Sequence, residues 1–116
     1  MDKTILKKKF DRETRIAIIE IDAPDSSANV LNRQFFKELN ELLDHAEVDK
    51  GIKGLVFTTA KDKIFLAGAD LITLQKNLDD PKALRALIEE GQETFTRLQN
   101  LQIPTVAAIH GACLGG

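Results

Sequence analysis

Two glycine-bearing segments hold the residue types from which a catalytic site could be built. They are Ile64-Phe65-Leu66-Ala67-Gly68-Ala69-Asp70-Leu71 and Ala107-Ala108-Ile109-His110-Gly111-Ala112-Cys113-Leu114-Gly115-Gly116. Glycine leaves backbone N–H groups open to a ligand, because no side chain stands in front of them. Each segment follows an apolar run, and each opens a helix or would do so if continued. Donors at a helix start lack an intrahelical acceptor and sit at the positive end of the helix dipole. Two of them converging on one point would make an oxyanion hole, which stabilises negative charge developing on a carbonyl oxygen. Neither segment has the glycine spacing of a dinucleotide or P-loop site. Taken singly, each reads more readily as a plain strand-to-helix turn than as a site. Their pairing is what points to chemistry.

The side chains usually recruited for acid–base or nucleophilic work are poorly placed for it. His45 falls in the last turn of a helix, where the dipole gives it a weak favourable contact. No residue is spaced to orient it as a base. His110 reads as a hydrogen-bonded loop residue, and Cys113 as a small apolar filler. Cys113 is the only cysteine, which excludes an intrachain disulfide and fits a reducing cytosol. No metal site is assigned.

The elements that must position the two segments are legible from periodicity. Strands are predicted at 4–10 and 15–22, joined by the polar turn Asp11-Arg12-Glu13 as a hairpin. After a loop at Pro24-Asp25-Ser26-Ser27, Asn32 can cap a helix over 33–48. Phe35, Phe36, Leu39, Leu42, Leu43 and Ala46 lie on one face of its 3.6-residue period. Two further strands, 52–59 and 104–110, carry short apolar runs of the kind buried on both faces. Asp80 and Pro81 open a long helix over 80–100. Its apolar face holds Leu84, Leu87, Ile88, Phe95 and Leu98. Gly91 shares that face, and since glycine there costs about 1 kcal/mol against alanine, close packing is its expected reason. The order β-β-α-β-α-β predicts an α/β fold.

Composition bounds the partners. The chain has 116 residues, enough for one small domain, with 43% hydrophobic and 29% charged residues. That balance belongs to a globular protein. A net charge of −2 argues against nucleic acid, whose phosphates call for a basic excess. The basic run Lys7-Lys8-Lys9 reads as a solvated strand end. The longest apolar run, Val106 to Ile109, is too short to span a bilayer. No signal peptide is evident, so a soluble, cytoplasmic protein without a membrane partner is expected.

With these residues in view, a family resemblance emerges. Phe65-Leu66-Ala67-Gly68-Ala69-Asp70-Leu71 is similar to the F-x-A-G-A-D-[LI] signature of the crotonase, or enoyl-CoA hydratase/isomerase, family. The segment from Ala107 to Gly116 resembles that family's A-A-[IV]-x-G-x-x-x-G-G-G stretch, and Asn29-Val30-Leu31-Asn32 its N-A-L-N entry to the first helix. The likeness runs from about Arg15 to Gly116, and the wording of Ile109 to Gly116 looks most like the N-terminal domain of multifunctional fatty-acid oxidation proteins. The resemblance implies the family's spiral of ββα units, present in part. It also implies an acyl-CoA or enoyl-CoA substrate in β-oxidation, and no cofactor beyond the CoA thioester. The thioester carbonyl would sit between the backbone N–H groups of Ala69 and Gly116. Phe65, Leu66, Ala67, Gly68, Asp70, Leu71 and Gly115 would fall in substrate-lining stretches, although Asp70 also reads as the cap of a short helix over 71–75.

The family's third glycine and its two acid/base glutamates would fall beyond Gly116. Hydration needs such carboxylates to activate water and to protonate the α-carbon. Residues 1–116 are therefore expected to be the front part of a single hydratase/isomerase domain, inactive alone and poorly soluble with part of the apolar core bare. The resemblance further implies a homo-oligomer or multienzyme complex. Two alternatives stay open. One is a catalytically incomplete module that binds acyl-CoA or serves an assembly. The other is a further crotonase chemistry, such as dehalogenation, decarboxylation or thioester hydrolysis, sharing the same oxyanion pair.

Overall fold

The computed structural model describes residues 3–115, so Gly116 lies outside the described residues. The chain opens with a hairpin, β1 (Leu6–Asp11) and β2 (Ile16–Ile21). Its turn closes on Asp11, whose carbonyl accepts the Arg15 N–H at 2.7 Å and whose carboxylate accepts the Thr14 hydroxyl at 2.7 Å. Helix α1 (Arg33–Val48) follows, then β3 (Gly54–Thr59), β4 (Ile64–Leu66), α2 (Leu71–Lys76), α3 (Pro81–Gln99), β5 (Thr105–Ala107) and β6 (Ala112–Cys113). A four-stranded sheet runs in the order β1-β2-β3-β5, with β1 antiparallel to β2 and the other pairs parallel. Strands β4 and β6 form a separate parallel pair.

Alternation along the strands puts Ala17, Ile19, Ile21, Leu55 and Phe57 on one buried face. The α1 stripe Phe35, Leu39, Leu43 and Ala46 is buried with it. The helix starts as expected, with Asn32 Oδ1 accepting the Phe35 N–H at 2.8 Å. Phe36, also on the expected stripe, is only half-buried and turns toward α3, where its ring meets Phe95 edge-on at 5.4 Å. A methyl group built on Gly91 would stand 3.2 Å from Phe36 Cζ, the close packing that its sequence position suggested. Helix α3 is capped by Asp80, which accepts the Ala83 N–H at 3.1 Å. Its buried positions are Gly91 and Thr94, while Ile88, expected on the packed face, is exposed. Thr94 bonds Asn40 across the two helices, a polar contact that no apolar periodicity announces.

Two burial expectations are corrected. Strand β3 buries one face only, since Val56 and Thr58 are half-buried. Strand β5 is exposed throughout and ends at Ala107 rather than 110. Among the described residues β5 pairs with β3 alone, so Val106 is 54% exposed. The register sets Ile18 beside Val56 and Val56 beside Val106, which makes an apolar row on the outer face of the sheet. Contiguous apolar surface promotes association. Residues 1–116 expressed alone are expected to self-associate in sedimentation velocity, and a monodisperse monomer would contradict this.

Candidate functional site

The two glycine segments meet through β4 and β6. Ala112 N–H donates to the Lys63 carbonyl and Leu114 N–H to the Leu66 carbonyl, each at 2.9 Å. Both segments then bend through left-handed glycines, Gly68 at φ +88° and Gly115 at φ +64°. A methyl on Gly68 would lie 2.8 Å from the Leu114 carbonyl oxygen and 3.7 Å from Gly115 Cα. Only glycine permits both the backbone sign and that approach. These short strands escaped the sequence reading because elements of three and two residues carry no usable period.

A third segment holds the first one in place. Ala67 N–H donates to the Asn29 carbonyl at 2.8 Å, Leu31 N–H to the Gly68 carbonyl at 2.8 Å, and Asp70 N–H to the Leu31 carbonyl at 3.1 Å. This is a parallel bridge between Leu31 and Ala69. In such a bridge the flanking groups face the partner and the central N–H faces away. The Ala69 N–H therefore points away from Asn29–Leu31, and no described residue accepts it. Ala69 itself is exposed. Immediately after it, Asp70 caps α2, accepting the Ile72 N–H at 3.2 Å and the Thr73 hydroxyl at 2.7 Å. The Asp70 carboxylate is thus engaged by its own helix.

The remaining sequence-predicted residues divide by environment. Phe65 is turned into the core, so only its backbone is available to a ligand. Leu66 and Ala67 are half-buried and Gly68 is buried. Leu71 is 76% exposed. Gly115 sits beside Gly68, whereas Gly116, paired with Ala69 in the sequence reading, lies outside the described residues. Cys113, read as a filler, is exposed, because β6 has β4 on one side and no further described strand on the other. His110 is exposed in the turn before β6, and His45 is exposed near the end of α1.

Beside Ala69 opens a cleft of about 360 Å³, lined mainly by carbon. Leu74 of α2 and Leu87, Gly91 and Phe95 of α3 form its walls with Phe36. An N–H without an acceptor among the described residues, on a residue that borders an apolar cleft, suits a ligand with a carbonyl head and a hydrocarbon tail. Among the described residues no cluster of three His, Cys, Asp or Glu gathers as metal ligands. Nor is any described helix long and apolar enough to cross a membrane.

The loop leading into Asn29 is anchored by charge. Lys61 Nζ donates to the Ala23 and Ser26 carbonyls at 2.6 Å and pairs with Asp22 at 2.9 Å. Lys7 pairs with the other Asp22 oxygen at 2.9 Å. Lys61, and secondarily Lys7, hold the Asp22 carboxyl below its ordinary pKa. A carboxylate with a depressed folded pKa adds stability above its unfolded value near 3.9, and that stability is lost as pH falls through the folded value. Asp22→Asn should thus lower stability at neutral pH by about 0.5–1.5 kcal/mol for two partly exposed pairs. In urea titrations, the gap from wild type should close below about pH 4 and narrow in high salt.

A sequence profile of the family described as enoyl-CoA hydratase/isomerase matches residues 11–116. Among curated relatives, the fatty acid oxidation complex subunit alpha of Shewanella baltica is 44% identical over 116 residues, covering 96% of this chain. The chain spans only 16% of that relative's length. Among solved structures, Pseudomonas aeruginosa DspI is 31% identical with a TM-score of 0.80, over 97% of this chain and 41% of that one. An enoyl-CoA hydratase/carnithine racemase from Magnetospirillum magneticum has a TM-score of 0.84 over 99% of this chain and 41% of its own, at 23% identity, a likeness of fold alone.

Proposed function

The chain belongs to the enoyl-CoA hydratase/isomerase family and has part of its α/β, crotonase-type fold, and on that premise we propose that it forms the oxyanion-hole side of an enoyl-CoA hydratase/isomerase site. The observation that carries this reading is the Ala69 N–H, which has no acceptor among the described residues, on a residue that borders the apolar cleft. The thioester oxygen accepts from Ala69 N–H and, from the neighbouring glycine segment, Gly116 N–H. The acyl chain lies in the cleft between α2 and α3.

In hydration, water oxygen bonds to the β-carbon and the C=C electrons move to the thioester oxygen. The enolate that forms carries its charge against the two donors. One carboxylate takes a proton from the water as its oxygen bonds, and a proton is delivered to the α-carbon by the other, so the elements of water are added across the double bond. Asp70 is occupied as a helix cap, and the family resemblance assigns the two proton-transfer carboxylates to positions after Gly116. The likeness to fatty acid oxidation complex subunits supports a role in β-oxidation within a multienzyme or homo-oligomeric assembly. A cytoplasmic location, and no cofactor beyond the CoA thioester, complete the proposal.

The test is hydration of crotonyl-CoA, followed as loss of the conjugated enoyl-thioester absorbance. The protein as its gene encodes it is expected to hydrate the thioester. Residues 1–116 alone are expected to show no turnover above background. Turnover by residues 1–116 alone would overturn the assignment of proton transfer to later residues. Failure of the encoded protein to bind or convert any enoyl-CoA would overturn the whole reading.

A further inference from the structure

Among the described residues, Asn29 is the one fully buried polar side chain that touches the segment carrying Ala69. Its Oδ1 accepts the Ala23 N–H at 2.9 Å. Its Nδ2 lies 3.0 Å from the Phe65 carbonyl, 3.1 Å from Thr59 Oγ1 and 3.2 Å from the Ile21 carbonyl. An amide has two N–H protons, so these three acceptors share them. The ends of β2 and β3 and the middle of β4 thus meet on one side chain.

We infer that Asn29 is a positioning residue for the Ala69 donor, setting the direction of its N–H by holding the strand that leads to it. The side chain grips the Phe65 carbonyl, and the backbone carbonyl of the same residue takes the Ala67 N–H at 2.8 Å. Those two anchors align the segment so that Leu31 receives Asp70 N–H and donates to the Gly68 carbonyl, which leaves the N–H between them aimed outward. A misplacement of about 1 Å in a catalytic group can cost about 10²-fold in rate. An apolar residue at position 29 would leave the Ala23 N–H and the Phe65 carbonyl without these partners, so the anchor would be lost at its root. The inference rests on the reading of Ala69 as an oxyanion donor, and its test separates the two.

The probe is 4-(dimethylamino)cinnamoyl-CoA, a conjugated thioester whose absorption moves to longer wavelength when its carbonyl is polarised by hydrogen bonds. It is titrated into the protein as its gene encodes it. Asn29→Asp keeps the Oδ1 acceptor and the shape while removing both amide protons. The expected result is a red shift cut to about half or less, because one of two donors is displaced. The Kd should change less than about threefold, because the rest of the ligand is bound as before. A full wild-type shift in folded Asn29→Asp would overturn the inference. Asn29→Ala, which opens space for a water to reach the same backbone groups, gives the same reading if Asn29→Asp fails to fold. If neither variant folds, Asn29 supports the whole domain rather than this loop, and the inference falls. A wild-type protein that binds the probe without any red shift would instead remove the oxyanion reading itself.

Discussion

Replacing Ala69 with proline is expected to lower enoyl-CoA hydration by about 10²–10³-fold in kcat, the usual consequence of losing one oxyanion-hole donor. That corresponds to about 2.7–4 kcal/mol of transition-state stabilisation. Proline removes the N–H outright. At most positions that would also break a structural hydrogen bond, but the Ala69 N–H has no acceptor among the described residues. The neighbouring bonds, Leu31 N–H to Gly68 and Asp70 N–H to Leu31, use other atoms. The loss should therefore fall on turnover more than on stability. Ala69→Ser, which keeps the N–H on an exposed residue, is expected to retain turnover within a few-fold, consistent with a donor that acts through the backbone. The measurement is steady-state hydration in the protein as its gene encodes it, with circular dichroism to confirm folding. Near-normal kcat in a folded Ala69→Pro variant would contradict the assignment, and Gly116→Pro provides the companion test.

The second large effect is structural. Gly111→Ala should destabilise the protein by about 2–6 kcal/mol, combining left-handed strain with overpacking against a backbone that cannot yield. Gly111 has φ +78°, and a methyl there would stand 2.7 Å from Ile64 N and closer still to the Lys63 carbonyl group. That is where β6 approaches β4, one residue before the Ala112 N–H bonds the Lys63 carbonyl. The substitution therefore pushes apart the two segments that the site needs side by side. Gly51→Ala is the control. Its methyl would meet only the Asp49 side chain, at 3.0 Å, and a shift within about 1 kcal/mol is expected there. Urea unfolding of the three proteins reads the difference, and equal stabilities would show that the β4–β6 contact is looser than described.

Local pattern made the main elements legible. The run Phe35, Leu39, Leu43 and Ala46 marks a helix because residues three or four apart share a face, and the structure buries those four side chains against the sheet. Asn32, Asp70 and Asp80 were readable as caps because a cap bonds a donor only two or three residues on, as each of them does. The glycine segments could be recognised from residue order, and so could the family.

Contacts between distant parts of the chain were beyond that reach. Strands β4 and β6 exist because Lys63 and Leu66 meet Ala112 and Leu114, and two or three residues in isolation have no period to betray them. Exposure of Cys113 and Val106 depends on which strand lies next to each, a property of the sheet rather than of the residue. Asn29 shows the division most directly. Its identity and motif are written in the sequence, yet its side chain gathers groups 6 to 36 positions away. The sequence by itself determined the longer secondary elements, the glycines and the family, because each rests on residue type and short spacing. Only the tertiary structure decided that the Ala69 N–H points away from Leu31 and finds no acceptor among the described residues, because Leu31 takes the hydrogen-bonding groups on either side of it.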